Sequence, residues 1–201
     1  MSAVVIGLTG PTGAGKSTAR EKAQSLGFFV IDADKVARDV TKKGSPLLPL
    51  LENEFCGVVI NGELDRKALA IKAFSNAENT KKLNSITHPF IIDSIKGIIK
   101  KAENDGNNFI LLDAPTLFES GTDKLCQKTI GVLAHEEIRL ERIIVRDNLS
   151  EADAKLRISA GKSDDFFKNN CDIILNNNAD NKAFLIECEK LFKNILEKKA
   201  L

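Results

Sequence analysis

Short runs of β-branched and aliphatic residues recur along the chain, separated by longer stretches in which apolar positions return every three or four residues. Ala3 to Leu8 is the first such run, and it breaks into a glycine-rich stretch, as a buried strand does when it feeds a tight loop. From Ser17 to Leu26 the composition turns helical, Gly27 supplies a stop, and Phe28 to Ile31 predicts a second strand. Helices follow over Ala33 to Val40, over Asp65 to Phe74 with Asp65 as its cap, and over His88 to Glu103, with a Pro/Gly break at Gly44 to Pro49. In the last of these Ile91, Ile95, Ile98 and Ala102 return at helical spacing, a stripe that reads as core-facing.

Phe109 to Leu112 predicts a third strand that ends at Asp113 and Pro115. Thr129 to Leu133 predicts a fourth, ahead of the basic helix Glu136 to Arg146, and Asp172 to Leu175 a fifth, ahead of a helix from Lys182 to Glu197. Ser150 to Asp153 reads as a capping box opening a further helix, and the polar stretch Gly161 to Asn170 beyond it reads as a candidate mobile segment. Strands alternating with helices predict an α/β fold built on a doubly wound, parallel, five-stranded sheet. At 201 residues the expectation is one domain with one main core.

Composition narrows the partners. Twenty-nine basic against 28 acidic side chains leave a net charge of +1, so no global field draws the chain to nucleic acid or acidic lipid, and any polyanion bound is small and local. Trp and Tyr are absent, and the 11 Phe are not interleaved with basic residues as in a base-stacking platform. Cys56, Cys126, Cys171 and Cys188 form no CxxC pair, and neither His88 nor His135 lies at zinc-ligand spacing from one, so four half-buried reduced thiols are expected. The start MSAVVIGLTG has no basic region or cleavage site, and no apolar run approaches the roughly 18 residues of a membrane span. A reducing cytoplasm fits these features best.

Gly10-Pro11-Thr12-Gly13-Ala14-Gly15-Lys16-Ser17 fits GxxxxGK(S/T) between a strand and a helix, the context that a phosphate-binding loop needs. Small residues there let successive backbone N–H groups turn inward on phosphate oxygens, and the helix start adds positive charge. Gly13, Ala14, Gly15, Lys16, Ser17 and Thr18 are thus the expected ATP-binding residues: Lys16 on the β and γ phosphates, Ser17 on Mg²⁺, Thr18 on the α-phosphate. Asp113-Ala114-Pro115-Thr116 does not end in the Gly of a DxxG switch, which argues against a GTPase.

Asp32-Ala33-Asp34 follows the second strand, at the carboxyl end of the sheet where ligands of doubly wound folds bind. Either carboxylate can take the proton of an attacking hydroxyl, or one can simply cap the next helix. Arg139, Arg142 and Arg146 share one helix face, and Arg157 lies on the next helix. They form either a phosphate cluster or a solvated face paired with Glu136, Glu137 and Glu141.

These motifs together resemble the dephospho-coenzyme A kinase family over nearly the whole length. The resemblance rests on GLTGPTGAGKST (7 to 18), LGFFVIDADKVARDV (26 to 40), NGELDRKALAIKAF (61 to 74), His88-Pro89, LLDAPTLFES (111 to 120), RLERIIVRDNLS (139 to 150) and CDIILNNN (171 to 178). It implies a single P-loop kinase domain over 1–201; within it the helical segment at about 61–104 is expected to supply much of the acceptor site and close over it, and a lid is expected at about 146–170. It implies transfer of the γ-phosphoryl group of ATP, with Mg²⁺, to the ribose 3′-hydroxyl of dephospho-coenzyme A, the last step of coenzyme A biosynthesis. Asp34 matches the base, with Asp32 supporting it or the metal shell. Lys16 and Arg142 join Asp34 as catalytic groups; Arg66 and His88 match substrate-binding positions, and Arg142, Arg146 and Arg157 match basic positions near the nucleotide and lid. The chain departs from the family pattern at Gly161, where Gln is common, and at Asn176-Asn177-Asn178, where a DNxG-like ending is common. A different small-molecule kinase and a nucleotide-binding switch are the competing readings; an acceptor screen separates them.

Overall fold

The computed structural model describes residues 2–197. In chain order the elements are β1 (Val4–Thr9), α1 (Lys16–Ser25), β2 (Phe29–Asp32), α2 (Ala33–Asp39), α3 (Leu47–Phe55), β3 (Val59–Ile60), β4 (Glu63–Leu64) and α4 (Arg66–Ala73). After these come α5 (Ala77–Asn104), β5 (Phe109–Asp113), β6 (Lys128–Leu133), α6 (Glu136–Asp147), α7 (Glu151–Ser159), α8 (Asp164–Asn170), β7 (Ile173–Asn176) and α9 (Asn181–Glu197). Two compact units result: one made of the residues up to Ile31 and from Ala102 onward, the other of Asp32–Lys101.

The larger unit carries the expected five-stranded parallel sheet, in the order β2-β5-β1-β6-β7. β1 lies between β5 and β6 and pairs with both in parallel, with Leu8 opposite Asp113 on one side and Ile130 on the other. The chain winds outward to opposite sides from β1, so the loop after it opens at the topological switch point, where doubly wound sheets bind ligands. α1 buries only Ala19 and Ala23, one turn apart, and these small side chains let it pack closely with α9. The shared core joins Ile6, Leu8 and Ile130 of the sheet to Phe184, Cys188 and Phe192 of α9, with Phe28 edge-on to Phe192 at 5.3 Å. This packing fixes the start of α1 against the end of β1.

The smaller unit has its own core of Leu47, Leu51, Phe55, Val58, Leu69 and Ala73, backed by Leu83, Ile86 and Phe90. Three features here depart from the sequence reading. The Gly44 to Pro49 break is the start of α3, because Pro49 falls in the first turn, where backbone N–H groups have no intrahelical partner to lose. A hairpin joins β3 to β4 through Asn61 and Gly62, both at positive φ; Asn-Gly is a strong turn signal, but strands of two residues each leave no alternating pattern around it. The third is the long helix α5, which begins at Ala77 rather than His88. The His-Pro pair reads locally as a helix start, but Pro89 stands inside the helix, and the preceding turns pack Leu83 and Ile86 into the core. Ile95 and Ala102 of the predicted stripe are fully buried, Ile91 and Ile98 half-buried.

The polar stretch Gly161 to Asn170, a candidate mobile segment in the sequence, contains α8. Ser163 accepts a hydrogen bond from the Phe166 N–H, Phe167 is buried, and the Phe166 ring meets Phe118 edge-on at 5.7 Å. Two adjacent aromatics among polar neighbours hide a single buried anchor from a composition average.

Candidate phosphate and acceptor site

The loop from Gly10 to Gly15 turns sharply back on itself. Gly10, Gly13 and Gly15 all lie at positive φ, and Ala14 donates its N–H back to the Pro11 carbonyl at 3.3 Å. At Gly10 a Cβ would stand 2.2 Å from the Val132 carbonyl oxygen, so only glycine lets the loop leave β1 beside β6. Gly15 is the N-cap of α1 and no side chain caps the helix, which leaves its first N–H groups to whatever anion the loop receives. Lys16 folds back so that Nζ donates to the Gly10 carbonyl at 2.8 Å, keeping its charge beside the loop. Ser17 is exposed on the first turn and Thr18 half-buried behind it.

The arginines expected as a cluster are engaged separately. Arg142 reaches the loop: Nη1 donates to the Gly13 and Ala14 carbonyls at 3.4 and 3.5 Å, and Nη2 to the backbone and side-chain oxygens of Asn177, both at 3.3 Å. Arg139 is buried, its nearest carboxylate being Asp164 of α8 at 3.5 Å. Arg146 and Arg157 both bond Asp147; the hydrogen bond from Arg146, foremost, holds that carboxyl below its ordinary range, and Asp147 in turn raises Arg146.

Two residues that the sequence reading did not assign stand at this end of the sheet. Asp113 closes β5 with a largely buried carboxylate that accepts from Arg20 Nη1 at 3.2 Å. Its sequence signal was an apolar strand ending on an acid beside β1. Asn177, just past β7, is 4% exposed and donates through Nδ2 to the Ala14 carbonyl at 2.8 Å. Among three consecutive asparagines nothing in the sequence singled it out.

The residues expected on the acceptor side all belong to the smaller unit. Asp32 caps α2, accepting from the Lys35 N–H at 2.9 Å, whereas Asp34 in the first turn is exposed and makes no hydrogen bond or ion pair among the described residues. Of the two, Asp32 is the one that serves as the cap. Arg66 opens α4 beside its cap Asp65 and donates to the Arg38 carbonyl at 3.1 Å and the Thr41 hydroxyl at 2.7 Å, tying α4 to the end of α2. His88 is half-buried in mid-helix on α5, not at a helix start.

Comparison with known proteins places the geometry in context. The CoaE family, described as dephospho-CoA kinase, matches residues 4–183. A dephospho-CoA kinase of Corynebacterium glutamicum is 37% identical over 195 residues, covering 96% of this chain and 98% of the relative. Among solved structures, the protein TT1252 of Thermus thermophilus aligns with a TM-score of 0.82 at 28% identity over 100% of both chains. A dephospho-CoA kinase from Campylobacter jejuni aligns at 0.73 and 30% over 98% of both.

Proposed function

The chain belongs to the dephospho-coenzyme A kinase family, and on that premise we propose that it transfers the γ-phosphoryl group of ATP to the ribose 3′-hydroxyl of dephospho-coenzyme A, giving coenzyme A and ADP. The observation that carries the reading is the glycine loop between β1 and α1 at the switch point of the sheet, an anion cradle ending on Lys16. Phosphoryl transfer asks little covalent chemistry of a protein; it asks for positioning and for positive charge around the transferring group.

The loop N–H groups and the N-terminus of α1 bind the phosphates, and Lys16 exchanges its loop carbonyl for β and γ oxygens. Asp34 accepts the proton of the attacking hydroxyl and orients it in line, while Asp32 stays with α2 as its cap. Arg142, already against the loop, meets charge developing on the phosphates, and Arg146 and Arg157 serve the lid at about 146–170. The helical segment at about 61–104 supplies the acceptor side, with Arg66 and His88 on the coenzyme A portion.

Oxygen donors fit Mg²⁺: the exposed Ser17 hydroxyl and the Asp113 carboxylate at the end of β5 would hold it, directly or through water. When bound, the ion neutralises charge on the β and γ phosphates. Among the described residues no helix is long and apolar enough to cross a membrane, and the free thiols suit a reducing cytoplasm.

The test is an ADP-release assay with Mg-ATP, offering dephospho-coenzyme A, adenosine, AMP or no acceptor, with the product weighed by mass spectrometry. One phosphate gained by dephospho-coenzyme A alone is the expected result. ADP appearing only with a nucleoside or nucleotide would assign a different acceptor, and ADP release indifferent to acceptor would point to a nucleotide switch.

A further inference from the structure

The phosphate-binding loop is shaped from outside by a residue with no place in the motif. Asn177 is buried, its backbone N–H fixed to the Leu133 carbonyl at 2.7 Å, so its backbone is anchored at the end of β6, from which the side chain reaches the loop. Nδ2 donates to the Ala14 carbonyl at 2.8 Å, and Oδ1 accepts from Arg142 Nη2 at 3.3 Å. Arg142 in turn reaches the Gly13 and Ala14 carbonyls. Both hydrogen-bonding ends of the amide are therefore used, one on the loop and one on the guanidinium that also touches it.

A planar trans peptide points its N–H opposite to its C=O. With the Ala14 carbonyl held on Asn177, the N–H of Gly15 points away from Asn177, as a cradle for phosphate oxygens requires. The same contact accounts for glycine at position 15 from a second side: a Cβ there would stand 2.2 Å from Asn177 Nδ2, and φ is +103°. The last turn of the motif is thus specified by a side chain more than a hundred residues away in sequence.

We infer that Asn177 is a positioning residue for phosphate binding, orienting the Ala14–Gly15 peptide so that Gly15 N–H faces the nucleotide's phosphates. It acts through the loop, not by touching the transferring group. The inference rests on the loop being the triphosphate site.

Asn177→Asp keeps the size and the acceptor for Arg142 but sets a carboxylate oxygen against the Ala14 carbonyl; Asn177→Ala removes both contacts. In both variants the KM for ATP rises about tenfold, the scale of one buried hydrogen-bonding group left unmatched, while the KM for dephospho-coenzyme A stays within about twofold. Inorganic tripolyphosphate, used as a competitor of ATP, loses affinity by the same factor as ATP, because the defect lies in the loop and not at the base. If Asn177→Asp fails to fold, Asn177→Ala gives the same reading, with the melting temperature of the free enzyme measured beside the kinetics. An unchanged KM for ATP, a lower melting temperature with normal KM, or weaker ATP binding with unaltered tripolyphosphate inhibition would each overturn the role of Asn177. Absence of tripolyphosphate competition in the unmodified enzyme would instead overturn the phosphate-site reading beneath it.

Discussion

Lys16 and Asp34 carry most of the expected chemistry, and they stand in different local settings. Lys16 is held by the Gly10 carbonyl, while Asp34 is exposed on the first turn of α2 with the capping work done by Asp32. Lys16→Ala and Asp34→Asn should each lower phosphoryl transfer by at least about a hundredfold, the scale of losing a charge-stabilising group or a general base. Steady-state rates with saturating Mg-ATP and dephospho-coenzyme A check this, and near-normal rates for Asp34→Asn would return the base to Asp32 or leave positioning alone. At this scale the sequence was most legible for the loop, whose glycines answer local backbone demands. It was least legible for Asn177 and Asp113, whose importance comes from what the fold sets beside them.

Among the elements, the connection after α3 has a clear electrostatic signature. Glu52 accepts backbone N–H groups from Gly57 at 2.6 Å, Val58 at 2.9 Å and Val59 at 2.7 Å, and these bonds, that from Gly57 foremost, lower its carboxyl below the ordinary value of 4.5. The carboxylate thereby orders the chain from α3 into the hairpin. Because the folded state depresses this group, its contribution is fully present above the unfolded value and fades as pH falls through the folded one. Glu52→Gln should therefore melt below the unmodified chain at neutral pH, with the gap narrowing as pH drops from about 6 to about 3. Melting curves across that range test it; a gap constant with pH would mean that the charge of Glu52 contributes nothing. The helix starts at Asp65 and Ser150 are legible in the sequence because a cap is a local signal, whereas the cap at Ser163 is masked by the polar stretch around it. The true start of α5 was not, since Leu83 and Ile86 gain their value from a core formed with α3 and α4.

For the whole molecule, the cysteines report on packing. Of four thiols expected to be half-buried, only Cys126 and Cys171 are: Cys188 is buried in the core and Cys56 is exposed, and burial pushes Cys188 up to about 11, Cys171 to about 11 and Cys126 to about 12. The thiolate is the reactive form, so the native protein should titrate one cysteine quickly with a thiol-specific reagent at pH 8 and all four only after denaturation. Fast reaction of Cys188 without denaturant would show that the core beneath α1 opens readily.

The sequence by itself determined the alternation of strands and helices, the phosphate loop and the cap at Asp65, because each depends on local backbone preference or short-range periodicity. Tertiary structure alone decided that the arginines of α6 divide among three tasks and that Asn177 reaches Ala14. Those outcomes follow from which groups the sheet order and helix packing bring within hydrogen-bond reach, and a contact between positions 14 and 177 has no counterpart in any local window of the chain.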